Sequence, residues 1–128
     1  MPTTDFLEYS YAIRNLLDNA LSADDIVSFE LEVDQRSAIR GLITGRLEFR
    51  DASTLHFREY IDLTQFEPRL TYAYHYQTAE TALIFRYDNA AHRPMLPYAD
   101  HKHTPDRIEF SEPPTLAHVL DEILTQIS

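Results

Sequence analysis

Phe6, Ile13, Leu16, Leu17, Ala20 and Leu21 recur at three- and four-residue spacing, the period of one helix face, and Asp5 with Glu8 fits a capping arrangement at its start. After Ser22–Asp25 the period drops to two. Val27, Phe29, Leu31 and Val33 alternate with Ser28, Glu30, Glu32 and Asp34, which predicts a half-buried strand with one wet face. Four more strand-like runs follow: Ile39–Arg50, Thr54–Thr64, Arg69–Thr78 and Ala82–Asn89. Their connections are short, as between antiparallel neighbours. Residues 89–107 carry no period, although three prolines and three histidines fall there. A stretch that long without structure is uncommon in a compact domain and often functional. Leu116, Val119, Leu120, Ile123, Leu124 and Ile127 then predict a closing helix, introduced by Pro113-Pro114. The expected fold class is therefore α+β: an antiparallel meander sheet of five to six strands flanked by an N-terminal and a C-terminal helix, in the order α-β-β-β-β-β-α. Both helices should cover one sheet face, leaving the other partly exposed.

Composition narrows the chemistry. The 128 residues suit a single domain, residues 1–128, and eight tyrosines with seven phenylalanines argue against disorder. There is no cysteine, so disulfides, thiolate catalysis and sulfur-ligated zinc are excluded. The first residues lack the basic start and apolar run of a signal peptide, and no apolar stretch reaches membrane-spanning length. We therefore expect a cytoplasmic protein with no membrane partner. The net charge of −10 argues against a nucleic-acid partner, but it is unevenly spread. Between Arg36 and Glu109, ten basic residues balance ten acidic ones and five of the six histidines occur; the excess negative charge lies in the two ends. Gly41 and Gly45 are the only glycines, which leaves no phosphate-cradling glycine loop.

Alternation assigns the polar face of the sheet. It gathers Arg46, Glu48 and Arg50 from the second strand, and His56, Arg58, Tyr60 and Asp62 from the third. The fourth adds Thr71, His75 and Gln77, and the fifth Arg86 and Asp88. In a meander Glu48, Arg58, His75, Arg86 and Asp88 can converge. Histidine shuttles protons, a carboxylate orients it and arginine binds a phosphate oxyanion, which together suit phosphodiester chemistry. The plainer reading is cross-strand ion pairing on a solvated face. Asp100-His101-Lys102-His103, with His92 and Asp106 nearby, offers metal-type ligands, though a histidine pair without an ion is the commoner case. We therefore expect no metal and no cofactor, with His101 and His103 available for acid–base work. Tyr72, Tyr74 and Tyr76 share the opposite side of their strand. They can stack bases of single-stranded RNA, but packing under a helix fits them better.

Several strings are more specific than composition: Leu55-His56-Phe57-Arg58-Glu59-Tyr60, Tyr72-Ala73-Tyr74-His75-Tyr76-Gln77, Leu83-Ile84-Phe85-Arg86-Tyr87-Asp88-Asn89-Ala90 and His101-Lys102-His103 stand in this order, followed by Ser111-Glu112-Pro113-Pro114. Together they resemble the TumE-type toxin family of bacterial toxin–antitoxin modules, over nearly all of the chain after about residue 25. The resemblance implies a toxin neutralised by a small DNA-binding antitoxin made alongside it. It carries over to His56, Arg58, Tyr74, His75, Gln77, Arg86, Asp88, Asn89, His92, His101 and His103. The chain departs from it after Asn89-Ala90, where Ala91-His92-Arg93 replaces a proline followed by two histidines.

The expected function is thus a toxin acting on RNA by metal-independent cleavage. His75 and one of His101 or His103 serve as base and acid, Arg58 and Arg86 hold the phosphate, and Glu48 or Asp88 orients a histidine. Arg46, His56, Tyr74, Gln77, Asn89 and His92 complete the expected binding set. Two alternatives stand beside it. One is a non-catalytic domain that docks a protein partner; the other is a metal-dependent hydrolase using His92, His101 and His103. The acidic first helix or strand is the expected seat of the antitoxin, and a second copy of the chain (a homodimer) is an open partner.

Overall fold

The computed structural model describes residues 5–90 and 99–127. Helix α1 (Phe6–Ser22) is followed by strands β1 (Ser28–Gln35), β2 (Arg40–Glu48), β3 (Thr54–Asp62), β4 (Arg69–Gln77), β5 (Leu83–Asp88), β6 (His101–His103) and β7 (Ile108–Phe110), and helix α2 (Leu116–Ile127) closes the chain. The seven strands form one antiparallel sheet in which spatial order equals chain order. The α+β meander expected from the sequence is borne out, with the strand count raised from five or six to seven. The added strands lie in and just beyond the stretch read as aperiodic. Each has only three residues, too few for an alternation to show, and pairing with β5 rather than local pattern makes β6 a strand.

Local chemistry sets the element ends. Asp5 caps α1 by accepting the Leu7 N–H at 2.7 Å. Thr115, after the two prolines, accepts the His118 N–H at 3.2 Å and starts α2. The β2–β3 turn predicted at Asp51-Ala52-Ser53 is held by Asp51, which accepts the Ser53 N–H at 3.0 Å, while Ala52 adopts φ 67°.

Both helices bury their apolar stripes on the same sheet face. Phe6, Ile13, Leu17 and Ala20 of α1 and Leu116, Val119, Leu120 and Ile123 of α2 join one core with Ile43, Leu47, Leu55, Phe57, Ile61, Tyr72, Tyr74, Tyr76, Phe85 and Tyr87. The tyrosines of β4 are core residues, as helix packing predicted. Gly41 and Gly45 share this face, and a Cβ on either would meet a ring, that of Phe6 or Phe57. The bare Cα of Gly41 is what lets the start of α1 lie against β2.

One core position breaks the pattern. Glu59 falls in phase with Leu55, Phe57 and Ile61 and is 1 % exposed. Its carboxylate accepts the hydroxyls of Tyr9 and, at 2.7 Å, Tyr74. Arg69 donates to the Tyr74 hydroxyl at 2.6 Å and to the Pro114 carbonyl, with its guanidinium 4.5 Å from the Tyr72 ring centre. Burial, together with the neighbouring Glu59 carboxylate, pushes the pKa of the Tyr9 and Tyr74 hydroxyls well above the ordinary phenol value, making them weaker acids. This network stitches α1, β3, β4 and the approach to α2 across an otherwise apolar layer.

Candidate functional site

Strand register turns the bare face into ordered rows. One row crosses the sheet as Glu30, Arg46, His56, His75, Arg86 and His103, each opposite the next on the adjacent strand. The row beside it reads Glu32, Thr44, Arg58, Ala73, Asp88 and His101. Small residues next to long ones make a hollow. Thr44, Gly45 and Ala73 form the low ground, and His56, Arg58, His75 and Arg86 rise around it, enclosing about 300 Å³. Of the five residues expected to converge, Arg58, His75 and Arg86 line this cleft, with His56 of the expected binding set beside them.

The polar contacts define the state of each group. His75 Nδ1 lies 3.4 Å from Arg86 Nη1, and its Nε2 lies 3.2 Å from Gln77 Oε1. A guanidinium only donates, so Nδ1 carries the lone pair and Nε2–H donates to Gln77. The neutral ring this implies agrees with a pKa held below the usual 6.5, first by burial and then by the charge of Arg86. His56 is depressed too, by burial and then by Arg46. Neither His56 nor Arg58 has a hydrogen-bond or ion-pair partner among the described residues, and both are exposed. They are available to a ligand.

Asp88 is the buried anchor beside the cleft. Its Oδ2 accepts Arg86 Nε at 2.7 Å and its Oδ1 accepts the Ala90 N–H at 3.1 Å. Burial works to raise its pKa, but the bond from Arg86, the Ala90 N–H and the charges of His101 and Arg86 outweigh it and hold the carboxyl below the usual range. His101 Nε2 stands 2.7 Å from Oδ1, and His103 Nε2 stands 3.6 Å from Oδ2.

The remaining expected residues fall elsewhere. Glu48 pairs with Arg46 at 3.8 Å, so Asp88 is the carboxylate that meets histidines. Tyr74 belongs to the helix-covered face, because it alternates out of phase with His75, and its hydroxyl is taken up by Glu59 and Arg69. Asn89 spends its amide on the Tyr72 N–H and the Leu70 carbonyl, holding the ends of β4 and β5 together. His92 lies outside the described residues. His101 and His103 are strand residues rather than loop residues. Alternation sends them to the bare face and turns Lys102 to the other, where it pairs with Glu122 of α2 at 2.8 Å. Asp106 sits exposed in the β6–β7 turn. Sequence reasoning missed two contributors. Ala73 makes the hollow by being small between Arg58 and Asp88, and its sequence clue was an alanine between two tyrosines on a polar phase. Glu59 was visible only as an acid on an apolar phase.

A larger hollow of about 580 Å³ lies between the helices, lined mainly by apolar side chains with Tyr9, Glu59, Arg69 and Tyr72. Among the described residues no histidine lines it.

A family model described as Toxin TumE matches residues 13–128, nearly the whole chain. The chain belongs to the TumE toxin family. No curated protein and no solved structure matches at a significant level. The cleft is accordingly the candidate site of a TumE toxin, built across the middle strands that the match covers in full. None of the helices among the described residues is long and apolar enough to cross a membrane.

Proposed function

We propose that this TumE toxin cleaves RNA on the bare sheet face, by histidine acid–base chemistry with arginines holding the scissile phosphate. The observation that carries the reading is the cross-strand row Arg46–His56–His75–Arg86 with Arg58 beside it, bordering one hollow. Directly opposed residues of an antiparallel pair have Cβ atoms only about 4.5–5.5 Å apart, so one phosphodiester can lie between the His56 and His75 rings. Expected partners His101 and His103 give way to His56 in this reading, since His101 is enclosed and neither lines the hollow.

His56, depressed and unpartnered, takes the proton of the ribose 2′-hydroxyl. The 2′-oxygen attacks phosphorus and the bond to the 5′-oxygen breaks. When Arg86 turns from His75 to the phosphate, Nδ1 of His75 becomes free to hold a proton, and the phosphate charge favours it there. His75 then protonates the leaving 5′-oxygen, giving a 2′,3′-cyclic phosphate and a 5′-hydroxyl. Arg58 and Arg86 hold the equatorial oxygens. The acidic row of β1, Glu30 and Glu32, stands at one end of this face and repels the RNA backbone toward β2–β5.

The antitoxin of the module is the protein partner in this reading. β1 is an edge strand whose Glu30, Glu32 and Asp34 face outward, a seat suited to a basic segment that adds a strand.

The test is growth of bacteria expressing the wild type beside a His56→Ala, His75→Ala double variant at matched abundance, with the ends of cellular RNA mapped in both. Arrest with new 2′,3′-cyclic phosphate ends in the wild type alone is the expected result. Equal arrest in both strains removes the bare face from the mechanism.

A further inference from the structure

The cluster beside the cleft has a geometry that proton transfer in the cleft does not use. His101 Nδ1 lies 2.7 Å from the Ala99 carbonyl oxygen, which can only accept, so Nδ1 carries the hydrogen. In the neutral ring the Nε2 lone pair then faces Asp88 Oδ1 at 2.7 Å, acceptor against acceptor. Something positive must stand between them, either a second ring proton or a metal ion. A ligating histidine characteristically donates its other ring N–H to a backbone carbonyl or carboxylate, and the Ala99 contact is that arrangement. The carboxylate is prepared in the same way: Arg86 occupies Oδ2 and the Ala90 N–H one side of Oδ1, leaving the rest of Oδ1 directed at His101. His103 Nε2 approaches the same carboxylate at 3.6 Å. The ligand atoms of Asp88, His101 and His103 all lie within 4.8 Å of one another, and two of the three residues are buried.

We propose that Asp88, His101 and His103 form a binding site for one divalent first-row transition-metal ion, with zinc the best match. Two imidazoles and one carboxylate favour such an ion over magnesium or calcium, which prefer all-oxygen shells. Bonds of about 2.0–2.2 Å close the widest ligand separation by roughly 1–1.5 Å and open the 2.7 Å His101–Asp88 contact by roughly 0.7 Å, both within reach of side-chain rotation. Three protein ligands leave a coordination position open, as in catalytic rather than purely structural sites. Asp88 and Arg86 are neighbours in one ion pair, so this position belongs to the margin of the cleft. The site also explains why β6 is so short: it delivers two histidines to β5 and turns Lys102 to α2. Sequence spacing had pointed to His92 and Asp106 as companions of this pair, whereas register supplies Asp88. The inference stands whether or not the cleft cleaves RNA, since metal uptake is measured without substrate.

The test uses the full chain dialysed against chelator, then titrated with Co²⁺ followed by its visible absorption and with Zn²⁺ in competition. One equivalent should saturate the wild type. His103→Ala and Asp88→Asn should each weaken uptake by at least about tenfold, the scale seen even for residues that only support ligands. His118→Ala, on the exposed side of α2, should bind as the wild type does. Melting in chelator checks that each variant is folded; if a variant is not, the one-equivalent Co²⁺ spectrum of the wild type, with the bands of a four- or five-coordinate nitrogen–oxygen site, decides instead. Absence of saturable uptake, or uptake that His103→Ala and Asp88→Asn leave unchanged, overturns the proposal and leaves a protonated His101–Asp88 pair.

Discussion

The two faces of the sheet are made by the same strands, one residue out of step, and they solve opposite problems. On the covered face a charge is tolerated where both carboxylate oxygens meet a donor, as with Glu59 under Tyr9 and Tyr74. On the bare face Arg58 and His56 have no hydrogen-bond or ion-pair partner among the described residues, although neighbouring strands carry many polar groups. Polar groups on the first face hold the protein together; on the second, Arg86, Asp88, His101 and Gln77 are paired while His56 and Arg58 are kept available. Buried polar groups are costly unless satisfied, whereas exposed ones tolerate vacancy because water serves them. Unspent hydrogen-bonding capacity at His56 and Arg58, more than charge itself, separates the bare face from the covered one.

The contrast is broken most sharply at His75. On the proposed function, His75→Ala should lower RNA cleavage by about 10²–10⁴-fold while shifting stability by no more than about 0.5 kcal/mol. A primer-extension assay on purified toxin beside a urea melt reads both, and equal losses in both would place His75 with the structural residues. Glu59→Ala is the mirror experiment. It strands two tyrosine hydroxyls and removes the carboxylate charge beside Arg69, and should cost about 3–5 kcal/mol of stability; an unchanged urea midpoint would show that the network is not the stitch between α1 and the sheet. Gly41→Ala comes next. The added Cβ meets the Phe6 ring, itself fully buried, and overpacking of this kind costs about 1–3 kcal/mol. An unaltered thermal midpoint would mean α1 lifts freely from β2. Charge reversal at Glu30, Glu32 and Asp34 sharpens the comparison along the bare face: antitoxin capture should weaken and cleavage persist, and capture that survives in a pull-down places the partner elsewhere. The smallest effect is the pH dependence of folding from His75. Its folded-state pKa lies below the 6.5 of the unfolded ring, so the unfolded chain binds more protons between the two values. The contribution is complete above pH 6.5 and is lost as pH falls through the folded value. Comparing acid-side melts of the wild type and His75→Gln measures it, and identical slopes would deny the depressed pKa.

Much of this was legible in the chain, and the residues show why. Elements longer than about six residues announced themselves through period, so α1, β1 to β5 and α2 lie where alternation put them, and the polar phase of β2 to β5 put His56 on the bare face and named Arg58, His75 and Arg86, with Glu48 and Asp88, as companions. Period says which side a residue faces but not which residue stands across from it. The meeting of Asp88 with His101 and His103 depends on the β5–β6 register, and three-residue β6 is too short to advertise one. Glu59 illustrates the other limit. A glutamate among core residues reads as an error in phase until Tyr9, fifty positions away, is seen to answer it.

Because spatial order equals chain order, a position along the row from Arg46 to His103 is also a moment in synthesis. Each strand leaving the ribosome finds its neighbour already made, and no pairing waits for a distant segment. Nothing in the strand order makes the β2–β5 cleft wait for later chain, whereas β6 can reach Asp88 only after β5 is in place. A nascent toxin arrives first as an arginine–histidine cleft and then acquires its second pair of imidazoles. A partner that adds to β1 meets an edge that is among the earliest parts of the sheet to be made.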